Sequence, residues 1–439
     1  MWTYIGLNSF GGPTGQIAVM HKVLVEQKRW VGEERFLHAL NYCMLLPGPE
    51  AMQLATYVGW LMHRTPGGLM AGVLFVAPGF LSILALSIAY TQFRGVGVVE
   101  SLLFGLKAAV LAIVVEAVIR IGRRVLRNGL MYAIAAASFV AIFFFKIPFP
   151  LIIVSAGVLG FLGDRLRPDL FEVIRFKAAA AAGAAAESYA ADLADPAHTR
   201  PSVGQAARTL LVWGTLWFAP VIALHLWLGP QSVFAAESWF FSKAATVTFG
   251  GAYAVLGYIA QQAVEVYGWL APGEMLTGLG MAETTPGPLI QVVQFVGYLG
   301  AYREPGSLSP LAAGVLASLL TTWVTFVPCF LWIFLGAPYV EGLRGKRSLS
   351  AALSTITAAV VGVVLNLAVW FALHTLFSEL RIFEGYGMTL RVPIIRAIDW
   401  PALAIAALSA LLIFRLHWGV LRVLGVAVAL SVAWFLVAG

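Results

Sequence analysis

The sequence predicts an all-α polytopic membrane protein made of two homologous halves with broken helices. Three observations carry this. The chain is 60% hydrophobic and 11% charged, against about 25% charge in a soluble protein. Many apolar runs approach the roughly 20 residues that cross a bilayer as a helix. Finally, short Gly/Pro breakers recur at a fixed separation. Subtracting residue numbers gives 239 for Gly11 to Gly250, Trp30 to Trp269 and Pro47 to Pro286. One residue is then lost, so that Gln53 matches Gln291 and Gly59 matches Gly297. This is an internal duplication.

Taken in order, residues 1–27 form a first helix interrupted at Gly11-Gly12-Pro13, and no signal peptide is expected ahead of it. Residues 33–46 and 50–63 make a broken pair around Pro47-Gly48-Pro49, because Pro cannot continue a helix and Gly weakens one. Spans follow at about 66–90, 98–121, 130–146 and 148–163, completing an N-terminal repeat, 1–163. Residues 164–208 are polar and Ala-rich and read as a cytoplasmic linker. A lone connecting helix (209–232) leads to the C-terminal repeat, 233–439. That repeat holds spans at 238–263, 310–336, 352–376, 397–415 and 417–438, with a broken pair, 270–284 and 289–303, around Pro286-Gly287-Pro288. Counting each broken pair as one crossing gives about 13 spans.

An odd element between the repeats inverts the second relative to the first. Arg120, Arg123, Arg124 and Arg127 put their loop in the cytoplasm. The loop at 91–97 then falls outside, and its counterpart, with Arg344, Lys346 and Arg347, inside. Two segments run against this. Residues 21–35 (Lys22, Lys28, Arg29, Arg35) and 376–396 (Arg381, Arg391, Arg396) would both lie outside. If the broken pairs are re-entrant hairpins, the parity changes and the repeats become parallel.

The net charge of +7 sits largely in such loops, so no nucleic-acid partner is expected; the lipid bilayer is the partner. Cys43 and Cys329 are isolated in apolar surroundings, and the seven His lack ligand spacing, so neither disulfide, metal nor cofactor is expected. The Gly-rich segment at 11–15 is followed by no Gly-Lys-Ser/Thr and is not a P-loop. Nor is any nucleophile elbow, metal motif or acid–base dyad visible, which argues against an enzyme.

Phe10-Gly11-Gly12-Pro13 with Gln16, then Trp30, then Leu46-Pro47-Gly48-Pro49-Glu50-Ala51 with Gln53, resemble the signature of the chromate transporter family. Thr248-Phe249-Gly250-Gly251-Ala252-Tyr253 and Thr285-Pro286-Gly287-Pro288 resemble the C-terminal domain of its two-domain members. The resemblance implies efflux of chromate from an inner membrane, with resistance as the outcome, sulfate as competitor and protons as coupling ion; it leaves a homodimer open.

The residues reach anions on their own. A half-helix that starts at mid-membrane presents free N–H groups and a positive dipole end. Gly12 before Pro13 and Gly48 before Pro49 read as an N-cap followed by Pro at the first helical position. Around these ends Gly11, Gly12, Pro47, Gly48, Gly250, Gly251 and Gly287 bring backbone close. Gln16, Gln53, Gln291 and Gln294 bring amides, and Thr14, Thr284 and Thr285 bring hydroxyls. Such groups are either ligands or interhelical glue. Lys107 lies about 14 Å into the 98–121 span at 1.5 Å per residue, with Thr357 as its counterpart. It is a candidate to attract the anion or to form a structural ion pair. Glu116 and Arg120 read as an (i, i+4) pair. Glu50, with Leu289 as counterpart, is the candidate for proton coupling, because its carboxylate competes with an anion for the same N–H groups. A secondary transporter for chromate is the leading reading; the alternative is a transporter or channel for sulfate or another oxyanion.

The topology is directly testable. Cysteines placed at 94 and at 346 are expected to react with an impermeant thiol reagent from opposite sides of the membrane. Labelling from one side would establish parallel repeats instead.

Overall fold

The computed structural model describes residues 1–10, 12–171, 201–339, 347–385 and 387–438. Gly11, Arg344, Lys346 and the middle of the expected linker, 172–200, lie outside the described residues. The chain is nearly all helical, and among the described residues seven helices are long and apolar enough to cross a membrane. Two shorter apolar helices accompany them. This is a multi-pass membrane protein.

The elements run in order: α1 (Trp2–Leu7), α2 (Gly12–His21), α3 (Glu33–Cys43), α4 (Glu50–Phe93), α5 (Gly97–Val125), α6 (Gly129–Phe145), α7 (Phe149–Leu166) and α8 (Pro168–Phe171). Next come α9 (Val203–Leu228), α10 (Val233–Thr246), α11 (Ala252–Gln261), α12 (Glu274–Thr284), α13 (Val292–Arg303) and α14 (Pro310–Gly336). The chain closes with α15 (Arg347–Leu376), a β-hairpin, α16 (Trp400–Phe414) and α17 (Val420–Ala438). α4 is two helical pieces, parted at His63 and Arg64, as the expected spans at 50–63 and 66–90 require. α9 begins at Val203, inside the stretch expected to be linker.

Local chemistry starts these helices where the apolar runs begin. Asn128 caps α6 by accepting from Met131 N at 2.9 Å. Ser309 and Asp399 do the same for α14 and α16, each followed by Pro in the first turn, where a missing N–H costs nothing. Lys146 ends α6 in a left-handed conformation and makes the tight turn into α7. The duplication reaches local detail. Each repeat has a π-helical turn, Lys22–Gln27 and Gln262–Val266. Each is followed by a left-handed residue, Arg29 (φ 52°) and Gly268 (φ 68°), at the 239-residue separation.

The chain forms two compact units, and neither coincides with a repeat. The first comprises Met1–Ala85, Arg175–Ala252 and Thr285–Lys346; the second comprises Leu86–Ile174, Tyr253–Thr284 and Arg347–Gly439. In the first unit α14 packs against α9, α10 and α13. An aromatic cluster joins α9 to α14, with Trp213 stacked on Phe330 at 5.3 Å. α1 seats its Gly6 against α4, where a Cβ would lie 3.0 Å from Leu74 O.

In the second unit the two repeats exchange partners. α5 packs on α16 and α17, α15 packs on α6 and α7, and α5 packs on α15. Both outer seams use small residues four apart, which let helix backbones approach closely. Ser101 and Gly105 of α5 meet Ala427 and Ser431 of α17, with Ser431 Oγ donating to Ser101 O at 2.5 Å. Ala351 and Thr355 of α15 meet Ala156 and Gly160 of α7, with Thr355 Oγ1 donating to Ala156 O at 2.7 Å. Residues 101/105 and 351/355 are equivalent under the 250-residue offset that aligns Ala108-Ala109-Val110 with Ala358-Ala359-Val360.

One expectation of the sequence is corrected here. Residues 376–396 are not plain loop: β1 (Leu380–Gly385) and β2 (Met388–Pro393) pair antiparallel, Phe383 opposite Leu390. Arg391 on β2 pairs with Glu265 at 2.7 Å. The alternating pattern around Gly385-Tyr386-Gly387 is a hairpin signal that the helical composition of the rest of the chain masks in the sequence.

Glycine substitutions separate close packing from open helix. A Cβ at Gly362 of α15 would run into the Ala135 carbonyl and lie 2.8 Å from Phe139 N, both backbone atoms of α6. At Gly122 the nearest atoms are 3.7 Å away. Gly362→Ala is expected to destabilise by about 1–3 kcal/mol, and Gly122→Ala to be neutral or stabilising by up to about 1 kcal/mol. Thermal melting of the detergent-solubilised protein reads the difference.

Candidate functional site

Both Pro-Gly-Pro turns lie in the first unit. Gly48 and Gly287 occupy equivalent backbone conformations, φ 126° and 108°, which L side chains rarely adopt. Gln53 N donates to Pro49 O at 3.1 Å. That makes Pro49 the N-cap and Glu50 the first residue of α4, so the helix starts one residue later than the sequence suggests, where Gly48 is the expected cap and Pro49 the first helical residue. Pro288 likewise caps a 3₁₀ turn, Leu289–Gln291, with Gln291 N donating to its carbonyl at 2.9 Å, and the turn continues into α13.

What holds the turns is a reciprocal pair of backbone hydrogen bonds. Gly48 N donates to Thr248 O at 2.7 Å, and Gly287 N donates to Ser9 O at 3.0 Å. Under the 239-residue offset Gly48 is equivalent to Gly287 and Ser9 to Thr248. Each turn is thus fastened to the segment preceding the other repeat's Gly-Gly breaker, which is the signature of an internal two-fold relation.

The glutamines surround these turns and are largely engaged by protein. Gln16, buried, donates from Nε2 to Gly287 O at 2.6 Å. Gln53 Nε2 donates to Pro47 O at 2.8 Å. Gln291 Nε2 reaches Gln294 Oε1 (2.7 Å) and Thr322 Oγ1 (3.0 Å), while Gln294 Nε2 reaches Phe80 O (3.0 Å). Among the described residues, Gln53 Oε1 and Gln291 Oε1 are buried with no donor. Thr285 is buried, Thr14 is exposed, and Glu50 is half-buried. Gly12 (φ 73°), Gly250 (74°) and Gly251 (98°) are all left-handed, and at Gly12 and Gly251 the Cβ position is open. The structure therefore gathers Gly12, Thr14, Gln16, Pro47, Gly48, Glu50, Gln53, Gly250, Gly251, Thr285, Gly287 and Gln291 into one unit. Gly11 is outside the described residues.

Lys107 belongs to the second unit, on α5. Its Nζ is 3.8 Å from the Cβ position of Gly273, and Glu274 is its leading electrostatic neighbour, with Arg94 and Glu100 beyond. Glu274 is 2% exposed. It accepts from Tyr90 Oη at 2.8 Å, Arg94 Nη1 at 3.2 Å and Ala271 N at 2.7 Å. In the same unit the buried Glu283 accepts a short hydrogen bond from the Tyr253 hydroxyl. Glu116 and Arg120 pair at 3.5 Å, as their spacing predicts.

Sequence reasoning missed three buried acids, Glu237, Glu274 and Glu283. Their signal was available: a carboxylate inside an apolar run is costly and calls for a partner.

The chromate transporter family model matches residues 1–161 and 236–432. The chain belongs to the chromate transporter family. Both matched segments carry a Pro-Gly-Pro turn, and the gap between them, 162–235, covers the expected linker and all of α9. Among relatives, the chromate transport protein of Pseudomonas aeruginosa is 30% identical over 82% of this chain and 76% of its own length. That of Cupriavidus metallidurans is 28% identical over 82% and 78%. No solved structure matches the chain.

The reciprocal turns make a paired prediction for this transporter-family fold. Gly48→Ala forces a left-handed alanine and sets its Cβ 2.8 Å from Cys329 Sγ and 2.9 Å from Gln53 Nε2; at Gly287 the Cβ meets Gly79 Cα at 2.9 Å. Each substitution is expected to destabilise by about 1–3 kcal/mol, and by similar amounts because the sites are equivalent. Thermal melting of both variants beside wild type checks this; an unchanged midpoint for either would refute it.

Proposed function

We propose that the chain is a secondary active transporter that exports chromate across the inner membrane and so confers chromate resistance. The observation that carries this reading is the pair of half-helix starts, at Glu50 and at Leu289, held in one unit by equivalent backbone bonds. Free N–H groups at a helix start favour an anion, each dipole end by about 0.3–1 kcal/mol when exposed and up to ~2 when partly buried. Two such ends, with backbone approach at Gly12, Gly48, Gly250, Gly251 and Gly287, replace part of the hydration of a tetrahedral dianion. Gln16 acts by holding Gly287; Gln53 and Gln291 shape the turns from inside. Thr14 and Thr285 supply hydroxyls. The repeats are assigned as inverted, with 13 spans, which gives the alternating exposure of one site that export needs. The relatives' names, chromate transport protein, support the same substrate for this chain.

Lys107 is assigned to drawing the anion in. Glu274 and Glu100 keep a charged lysine tolerable at that depth and leave its ammonium a mobile counter-charge. Glu50, at the first position of α4, is assigned to coupling. Its charge and the anion compete for the same N–H groups, so protonation and anion binding are linked reciprocally, and the proton-motive force is the energy source. Backbone N–H groups do not separate isosteric dianions, so sulfate is the competitor and the second reading for the substrate. A homodimer is compatible with this assignment and is not needed for it.

Inverted membrane vesicles are expected to accumulate labelled chromate when energised, with sulfate competing more strongly than phosphate. Glu50→Gln should retain chromate exchange while its response to pH flattens. Uptake of sulfate with no effect of chromate would transfer the assignment to the second reading. Wild-type pH dependence in Glu50→Gln would remove Glu50 from coupling.

A further inference from the structure

The first unit holds a fully buried carboxyl that the anion site does not use. Glu237 lies in the first half of α10 and is 0% exposed. Among the described residues neither of its oxygens has a hydrogen-bond donor. α13 makes room for it at Gly297, where a Cβ would lie 3.3 Å from Glu237 Oε2 and 3.3 Å from Thr321 Oγ1, and would collide with Thr321 Cγ2. Thr321 directs its own hydroxyl proton at Ala317 O, 2.9 Å away, so it turns an acceptor lone pair, not a donor, to its surroundings. Gly297 is one turn beyond Gln294 and two beyond Gln291–Val292 on the helix that the second Pro-Gly-Pro turn starts.

Among the described residues, the groups around Glu237 offer no buried counter-charge. α10 packs against α9, α13 and α14. α9 carries Arg208 and His225; α13 carries Tyr298, Tyr302 and Arg303, with Glu304 just past its end; α14 carries Cys329; α10 itself adds Lys243. The three cations among these are all exposed. Lys243 lies over the Trp239 ring, and His225 is bonded to Val221 O. The electrostatic neighbour of Glu237 is Glu304, of like sign. An ionised carboxylate sealed in this way, with neither donor nor cation, is far costlier to bury than the neutral acid.

We propose that Glu237 is a proton-binding site of the first unit, occupied while α10 is closed on Gly297 and emptied only when water reaches that contact. The step is a simple acid dissociation: the O–H bond breaks, the proton passes to water and the carboxylate that remains must be hydrated. An opening and closing of the α10–α13 contact is thereby tied to one proton. This rests on the reading of the chain as a proton-driven transporter; the proton site itself does not require chromate to be the substrate.

The test uses the full chain in liposomes, with two readouts. Infrared difference spectra after a pH jump are expected to show the carbonyl stretch of a protonated, non-hydrogen-bonded carboxyl in wild type and in Glu50→Gln, but not in Glu237→Gln. In Glu237→Asp the band should persist at a displaced midpoint. In transport, Glu237→Gln should lower accumulation driven by a pH gradient about tenfold or more while exchange persists, because coupling and not anion binding is removed. Should wild-type liposomes carry no oxyanion, the transport reading fails, and the infrared band still decides Glu237. The band surviving in Glu237→Gln, or gradient-driven accumulation at the wild-type level, would overturn the proposal. Failure of both the Gln and Asp variants to fold would do so as well, making Glu237 a packing group.

Discussion

Backbone that leaves a helix at membrane depth must find hydrogen-bond partners within the protein, because hydrocarbon offers none. This constraint governs the first unit. The Pro-Gly-Pro turns expose N–H groups that a continuous helix would have used, and the fold answers with Gly48 N on Thr248 O and Gly287 N on Ser9 O. Those bonds require two chain segments far apart in sequence to meet, and each requires a glycine in a conformation closed to other residues. Gln16 on Gly287 O and Gln53 on Pro47 O then satisfy the carbonyls of the same turns. Much of the side-chain amide chemistry near the breaks is accounted for in this way.

Much of this was legible in the sequence. Gly and Pro punctuate a helix wherever they fall, so matched breakers announce matched turns whatever surrounds them; the π-helical turns ahead of Trp30 and Trp269 follow the same register. What could not be read is which segments touch. Glu274 meets Tyr90 across 184 positions, and Gln16 meets Gly287 across 271; neither pair shares a local pattern. The amides illustrate the limit. A buried glutamine looks the same in sequence whether it faces a ligand or a carbonyl, and here Gln16, Gln53, Gln291 and Gln294 each donate to protein. The hairpin at 380–393 had a visible alternation, outweighed by the composition around it. Pro49 sits at the cap and not inside the helix because its carbonyl, already in register, takes the first helical bond.

Lys107 is where sequence and structure add to each other. Depth alone marks it as unusual, and the structure supplies Glu274, itself held by Tyr90, Arg94 and the Ala271 amide. A charge-assisted network of this kind is rigid when every member is satisfied. Its carboxylate is held by three donors besides its electrostatic neighbour Lys107. Glu237 stands in the opposite situation, with no hydrogen-bond donor among the described residues.

Each compact unit draws on both repeats: α5 is sealed by α16 and α17, and α15 by α6 and α7. The order in which a ribosome delivers these helices therefore matters. α5, α6 and α7 enter the bilayer with their Ser101–Gly105 and Ala156–Gly160 seams bare, and the matching surfaces arrive only near the end of synthesis. Until then the small-residue grooves face lipid, a solvent that tolerates them but does not fill them. The interlocking of the two halves can therefore be complete only once the last two helices have been made.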